Sequence, residues 1–522
     1  MKIVSVDQML AIERSADSKG LSYDAMMHNA GKGIADWIYA HLDLKGGVIG
    51  LVGSGNNGGD TIIALSCLAK FGIRTMAFLV KQREDDPLIE IYESLGGAII
   101  DISGKEHLNI LEASLIPGVV VLDGILGTGL KLPLRGVLYE VMANIHHQLK
   151  SRLDVLIIAV DCPSGVDCDT GAVSEVTLKA DHTLTMAAMK QGLLIHPARS
   201  YAGDFHFIGI GIDDLSDHID EDLPTLVDQA LIHKLIPERP DNGHKGTFGT
   251  CLVVSGSEPY VGAAHLTGKA AYRAGCGLVH MAALREVHRS LSGRLIEAVW
   301  TILPDKDGAY DPKGLSAIED ALLKADSVVI GPGWGLGEYN SAFLESLLAK
   351  IPQKTPLLID ADGLKMLSTI ENWKDLLPEQ TVLTPHPGEM AVLTGLEIDK
   401  IQADRWNIAM NYAQAWHVNL VLKGAVTVIA RPREEIYINP ASNSALGTAG
   451  SGDVLSGVIG GLMAQGITAH SASVIGVYVH GLAGEIAGKN LLTDSSVTAL
   501  DILNGLPQAF FKAKEAGIFT SL

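Results

Sequence analysis

Val48-Ile-Gly-Leu-Val-Gly-Ser-Gly-Asn-Asn-Gly-Gly-Asp60 is an apolar, β-branched run that breaks into Gly53, Gly55, Gly58 and Gly59 and ends on an aspartate. Residues 61–71 then read as a helix, so the stretch opens a strand–turn–helix unit whose free amides favour anionic groups. Three more short apolar runs follow, at residues 74–80, 119–126 and 154–161, with gaps long enough for helices. Strands that are apolar throughout and alternate with helices predict a parallel sheet covered on both faces, a doubly wound α/β domain. Residues 6–42 precede it, with Met9, Ile12, Ala16, Met26, Met27, Ala30, Ile34 and Ile38 near helical spacing, and are expected to flank the sheet as helices.

Gly53, Gly55 and Gly58 fit a dinucleotide fingerprint, but Lys81 stands near the end of the next strand, where an acidic residue would hold ribose hydroxyls. An ordinary NAD dehydrogenase is therefore disfavoured. The glycines alone are compatible with a mere packing turn, whereas Asn56, Asn57 and Asp60 add hard oxygen atoms suited to ribose or to a cation. Asp123 and Asp161 end the third and fourth strands. Taken singly each is a turn former or helix cap; together with Asp60, at the carboxyl ends of parallel strands, they are expected to share one crevice.

The strand–helix alternation pauses at residues 213–241, an acidic, proline-punctuated block where the domain boundary is expected. It restarts with Thr250-Cys-Leu-Val-Val254 and runs to a second glycine turn, Gly447-Thr-Ala-Gly-Ser-Gly-Asp453. Here the amides would stabilise charge on a transferring phosphoryl group while Asp453 takes the acceptor's proton; the alternative is a plain helix cap. The segment Gly262-Ala-Ala-His-Leu-Thr-Gly268-Lys269-Ala270 is one residue too long for a P-loop, and Ala270 replaces its hydroxyl. Asp360, Asp362, His386 and Lys423 follow successive strand ends and are expected in the same cleft, although His386, between two prolines, is equally well read as a turn residue.

The formal charge of −20 over 522 residues works against nucleic acid or an anionic membrane as a partner. Five scattered cysteines suit a reducing compartment, and Asp7 and Glu13 interrupt any signal-peptide core, so the cytoplasm is expected and neither export nor a membrane span is.

In their joint order, Asn56-Asn-Gly-Gly-Asp60, Asp123-Gly-Ile-Leu-Gly127-Thr-Gly129, Asp161-Cys-Pro-Ser164, His244-Lys-Gly, Tyr260-Val-Gly-Ala263, Gly331-Pro-Gly-Trp-Gly335, His386-Pro-Gly-Glu389, Lys423-Gly-Ala and the Asp453 turn resemble the bifunctional NAD(P)H-hydrate repair family. That family fuses an epimerase of the YjeF N-terminal type, Rossmann-like in fold, to an ADP- or ATP-dependent dehydratase of the ribokinase-like type. The resemblance implies an epimerase domain at residues 1–215 and a dehydratase domain at residues 225–522. It also implies that the hydrated nucleotide meets Asn56, Asn57, Gly58, Gly59, Asp60, Gly127, Thr128, Gly129, Leu130, Lys131, Leu132, Pro133 and Asp161, with Asp161 catalytic and K⁺ on Asn57, Asp123 and Ser164. In the second domain Ala263, Gly335, His386 and Asp453 would face the hydrate, with Asp453 the base. Lys423, Gly424, Ala425, Val426, Thr427 and Gly452 would hold ADP or ATP with Mg²⁺.

The implied chemistry is repair of NADHX and NADPHX, the hydrates of NADH and NADPH: an isomerase interconverts the R and S forms, and a lyase phosphorylates the S form and eliminates phosphate. A homo-oligomer is implied as well. Thr61, Cys162 and Lys365 depart from the family pattern without removing a catalytic group. Two rival readings are a true kinase of a vitamin-precursor alcohol and a non-enzymatic scaffold built on the first domain. The retained Asp60, Asp123 and Asp161 speak against the scaffold.

Overall fold

The computed structural model describes residues 1–432 and 435–515, and the chain divides into two compact units between Pro224 and Thr225. The end of the second domain expected at residue 522 lies outside the described residues. The expected boundary block is not a bare linker: residues up to Pro224 stay with the first unit, where Ile3 N–H donates to the Pro224 carbonyl. Thr225–Leu226 already forms a strand of the second.

The first unit is the doubly wound sheet that the sequence predicts. Its strands are β2 (Val48–Val52), β3 (Thr75–Leu79), β4 (Ala98–Asp101), β5 (Val120–Gly124), β6 (Leu156–Val160), β7 (His182–Met186) and β9 (Asp204–Ile208). They run in the order β4-β3-β2-β5-β6-β7-β9, every pair parallel. Successive side chains of one strand point to opposite faces. Thus Val48 and Val52 join one core with Met9, Ile12, Ile34 and Ile38 of the N-terminal helices α1 (Val6–Ser18) and α2 (Tyr23–His41). Ile49 and Leu51 join the other, with Val141, Met142 and Ile145. The strand order reverses between β2 and β5, which opens a crevice at their carboxyl ends.

One local expectation fails. Helix α3 (Asn56–Lys70) begins at Asn56, not after Asp60, so Asn56 to Asp60 form its first turns. Glycine pairs start helices poorly, yet a Cβ at Gly58 would lie 2.0 Å from the Gly53 carbonyl, and the close approach of β2 to α3 exists only without it.

A short β1 (Ile3–Val4) pairs in parallel with β8 (Met189–Lys190), Val4 opposite Lys190. The second unit carries a ten-stranded sheet of β10 (Thr225–Leu226), β11 (Thr250–Val254), β12 (Leu278–Leu284), β13 (Val299–Leu303), β16 (Ser327–Ile330), β17 (Leu357–Ile359), β18 (Thr381–Leu383), β19 (Asn419–Leu422), β20 (Thr427–Ala430) and β21 (Tyr437–Asn439). Strands β14 (Asp305–Lys306) and β15 (Ala309–Tyr310) form a separate hairpin. β11, β16, β17, β18 and β19 are parallel neighbours, so their carboxyl ends share one edge; β20 returns antiparallel to β19, and β21 runs antiparallel to β20. The run at residues 418–430 is therefore two strands around a turn that begins at Lys423.

Candidate active sites

In the first unit the crevice is built from the ends of β2, β5 and β6. Asn57 sits in the opening turn of α3, and its Nδ2 donates to the Val160 carbonyl at 2.6 Å, which leaves Oδ1 beside Gly127, where a Cβ would come within 2.3 Å of it. Asp123 is buried; its Oδ2 accepts the Ser164 N–H at 2.8 Å, and its Oδ1 has no hydrogen-bond partner. The Ser164 hydroxyl accepts the Leu126 N–H at 2.9 Å. Burial raises the pKa of the Asp123 carboxyl above its ordinary value, opposed by the bonds from Ser164. An orphaned carboxylate oxygen, an amide oxygen and a hydroxyl around Leu126 fit a weakly hydrated monovalent cation, since burying such an acceptor without a partner is costly.

Asp161 holds φ +65°, a left-handed conformation uncommon for a residue with a side chain. Its Oδ1 accepts the Met186 N–H at 2.9 Å and is in contact with the Lys190 ammonium, which is fully buried and also donates to the Met186 carbonyl at 2.9 Å. Asp60 is buried nearby. Burial, then the charges of Asp161 and Glu13, push its carboxyl well above the usual range against the pull of Lys190 and Arg83. Glu13, on α1, is raised by burial and by Asp161, against Lys190. Arg83 donates to the carbonyls of Gly53 at 2.8 Å and Gly55 at 2.9 Å, fixing the loop before α3. No side chain caps that helix, so its first amides point into the crevice. Asn57, Asp60, Gly127 and Asp161 thus come together, while Asn56, Gly129, Lys131 and Pro133 are exposed, and Thr128, Leu130 and Leu132 half-buried.

In the second unit the helix Ser451–Ala464 opens with Gly450 at φ +89° and no side-chain cap, leaving amides free for an anion. Gly450 is the cap, not Asp453, which sits in the first turn. Burial and then Asp360 raise the Asp453 carboxyl to about 7. Asp360, at the end of β17, accepts from Lys423 Nζ at 2.8 Å and from the Ser456 hydroxyl at 2.7 Å. Burial opposes its charge, but the Lys423 ammonium and these bonds prevail and hold it below the usual range. A Cβ at Gly452 would lie 3.4 Å from Lys423 Nζ, so the ammonium faces the amide turn.

His386 caps the helix Pro387–Thr394: its Nδ1 accepts from the amides of Gly388 and Glu389, and Glu389 returns a bond to the His386 N–H at 2.9 Å. The turn reading of His386 is thereby satisfied, and its ring remains half exposed for a ligand. Glu389 Oε2 lies 3.8 Å from Lys423 Nζ. Gly335 donates to Asp362 Oδ2 at 2.9 Å, and Lys365 meets Oδ1 of the same carboxylate at 3.2 Å. Ala263 packs under the same loop, where a Cβ at Gly333 would touch it at 2.7 Å. Arg405 binds the carbonyls of Leu422, Lys423 and Val426, which shapes the turn through Gly424, Ala425 and Thr427.

Lys190, Glu13, Arg83 and Arg405 escape the sequence reading. For Lys190 there was a signal: it is the one cation in the apolar run Leu184-Thr-Met-Ala-Ala-Met-Lys190-Gln-Gly-Leu-Leu194. The others are ordinary surface residues to the eye.

Two α/β units, each with uncapped helix amides beside a proton-holding carboxyl and a lysine-paired carboxylate, define an acid–base enzyme for phosphate-bearing ligands. The model for YjeF-related protein N-terminus matches residues 23–192, and that for NAD(P)H-hydrate dehydratase matches residues 251–508. The bifunctional NAD(P)H-hydrate repair enzyme of Moorella thermoacetica is 34% identical across 99% of this chain and 98% of its own. That of Escherichia coli is 33% identical across 90% and 87%. A solved ADP/ATP-dependent NAD(P)H-hydrate dehydratase from Bacillus subtilis, co-crystallised with ATP and Mg²⁺, aligns with 56% of this chain and 99% of its own at 28% identity and TM-score 0.49. The chain belongs to the family of bifunctional NAD(P)H-hydrate repair enzymes, with both domains present. No described helix is long and apolar enough to cross a membrane.

Proposed function

We propose that the first unit interconverts the R and S hydrates of NADH and NADPH in the Asp60–Asp161 crevice, and that the second returns the S hydrate to the reduced cofactor with ADP or ATP at Asp453. Hydration of an enamine double bond places the hydroxyl on the carbon next to the ring nitrogen. Breaking and re-forming its C–O bond inverts that carbon. Asp60, holding a proton, gives it to the departing hydroxyl, and the nitrogen lone pair fills the gap. Water re-added on the opposite face gives a proton to the Asp161 carboxylate, and that proton passes back to Asp60 through water in the crevice before the next turnover, so protons, water and charge balance over the exchange. Potassium on Asn57, Asp123 and Ser164 would supply fixed positive charge to the opening turn of α3.

In the second unit Asp453 accepts the ring hydroxyl's proton while the hydroxyl attacks the terminal phosphorus and AMP, or ADP when ATP is used, departs. Free amides at the start of the Ser451–Ala464 helix steady the transferring group. The phosphorylated oxygen then leaves as phosphate with loss of a proton from the adjacent ring carbon, restoring the double bond. No set of three or more His, Cys, Asp and Glu side chains poised for a metal occurs among the described residues. Mg²⁺ needs less, since it binds through one or two carboxylates, phosphates and water, and Asp362 and Glu389 fit that part. Bound there, it would offset phosphate charge.

The observation that carries the proposal is the Asp453 carboxyl at about 7 beside the Lys423–Asp360 pair, a base poised at working pH. The test supplies an R/S mixture of NADHX with ADP, Mg²⁺ and K⁺, following reduced-nicotinamide absorbance, AMP and phosphate. Recovery of both epimers is expected; a stable phosphoester would indicate a kinase, and recovery of the S form alone would confine catalysis to the second unit. The cytoplasm and a homo-oligomeric state belong to the same proposal, on the strength of five unbridged cysteines and family membership respectively.

A further inference from the structure

Lys190 is 1% exposed and lies in no motif of the epimerase resemblance. Burying an ammonium is unfavourable unless a specific partner needs it, and an apolar side chain of similar volume would serve packing as well or better. Its two bonds go to one place: the Met186 carbonyl and Asp161 Oδ1, the latter already held by the Met186 N–H. Oδ1 is therefore saturated, while no described residue bonds to Oδ2, the oxygen left for the crevice. Backbone pairing fixes the lysine in turn. Val4 of β1 lies opposite it, the Met189 N–H donates to the Lys2 carbonyl at 3.0 Å, and Asp169 ties the Val6 N–H to the Gln191 amide. This N-terminal arm lies outside the residues matched by the family model.

We infer that Lys190 is a positioning residue of the epimerase: its ammonium, fixed by the Met186 carbonyl and the β1–β8 pairing, sets the charge and orientation of Asp161 so that Oδ2 meets the hydrate. Granted that the epimerase works in this crevice, as proposed above, the lysine acts through Asp161 and does not touch substrate. The charged and titrating groups around Asp161 are Lys190 on β8, Asp60 on α3, Glu13 on α1 and the adjoining Cys162; among the described residues Lys190 alone of these is in contact with its carboxylate.

The test compares Lys190→Met and Lys190→Gln in the full chain with Asp161→Asn, measuring recovery of R-NADHX and, as an internal control, dehydration of S-NADHX. Both lysine variants are expected to lose about 100-fold or more in R recovery while S dehydration stays within twofold. The loss is expected in kcat, with KM for R-NADHX within about threefold, because the lysine orients Asp161 and does not touch substrate. A merely structural lysine would move kcat and KM together, with the melting point. Wild-type kcat in both lysine variants, with Asp161→Asn inactive, would overturn the inference and spare the site. If Asp161→Asn is unaffected too, the site itself falls. Loss of the first unit's melting transition in both lysine variants would assign Lys190 to folding and overturn the inference equally.

Discussion

Asp453→Asn separates what the carboxyl does for chemistry from what it costs the fold. Moving a carboxyl from its ordinary 3.8 to about 7 corresponds to about 4 kcal/mol at about 1.4 kcal/mol per pH unit. Solvent at the mouth of the cleft screens about half of that, leaving about 2 kcal/mol. The sign follows from the proton: the folded state holds it more tightly than the unfolded chain, so the penalty is absent below about pH 4, grows up to about 7 and is constant above. Asparagine cannot ionise and escapes it. Melting of the second unit is therefore expected to rise by about 5 °C at pH 8, and by less than half as much at pH 5. Over the same range wild-type dehydratase turnover should climb with pH to half its maximum near 7, while the variant loses about 10²- to 10⁴-fold. Thermal scans and S-NADHX turnover from pH 5 to 8 check both. A stability gain independent of pH, or an Asn variant that turns over normally, would refute the assignment.

Asp161→Ala should abolish epimerisation and leave S-NADHX dehydration intact; an unchanged R-to-S rate would sink the site in the first unit. Lys423→Met leaves Asp360 buried without its partner and should destabilise the second unit by about 3–5 kcal/mol in denaturant titrations. Asp123→Asn removes the orphaned carboxylate charge, so the K⁺ concentration for half-maximal epimerase rate should rise about tenfold, with Na⁺ unable to compensate; an unchanged K⁺ dependence would place the cation elsewhere. Gly58→Ala forces a Cβ to within 2.0 Å of the Gly53 carbonyl, a backbone contact that cannot swing away, and should reduce epimerase activity at least tenfold with a lower melting point. A silent Gly58→Ala would mean that the α3 turn is not as close to β2 as described.

The fold was legible where its demands are local. Val48 to Val52 announce a strand by composition, and glycines at 53, 55 and 58 announce a backbone that must pass close to another. Asp60, Asp123, Asp161, Asp360 and Lys423 could be gathered because strand ends in a parallel sheet share an edge. What stayed hidden depends on contacts distant in sequence. Lys190 owes its meaning to Asp161 and to the pairing of Val4 beside it, and Glu13 faces the crevice only because α1 packs there. Arg405 reads as a helix surface residue until β19 and β20 bring three carbonyls to its guanidinium. The start of α3 at Asn56 was missed for the opposite reason: local propensity disfavours two glycines in a first turn, and tertiary packing against β2 overrides it.

Two unrelated sheets have arrived at one electrostatic arrangement. In each unit one carboxylate is bonded to a lysine, Asp161 to the fully buried Lys190 and Asp360 to the partly exposed Lys423, and a second carboxyl close by, Asp60 or Asp453, is held protonated to higher pH by burial and by the first. In each the carboxylate leaves its strand through a non-glycine residue at positive φ, Asp161 itself at +65° and Ala361 at +52° after Asp360. Carboxyls driven apart in acidity divide acid and base roles between them. The lysine settles which is which, because only one carboxylate of each pair is in hydrogen-bonding contact with it. Exchanging Lys423 for a neutral residue should therefore do more than slow the chemistry of the second unit. It removes the asymmetry that tells the two carboxyls apart, and the pH profile, not only the rate, is where that loss must appear.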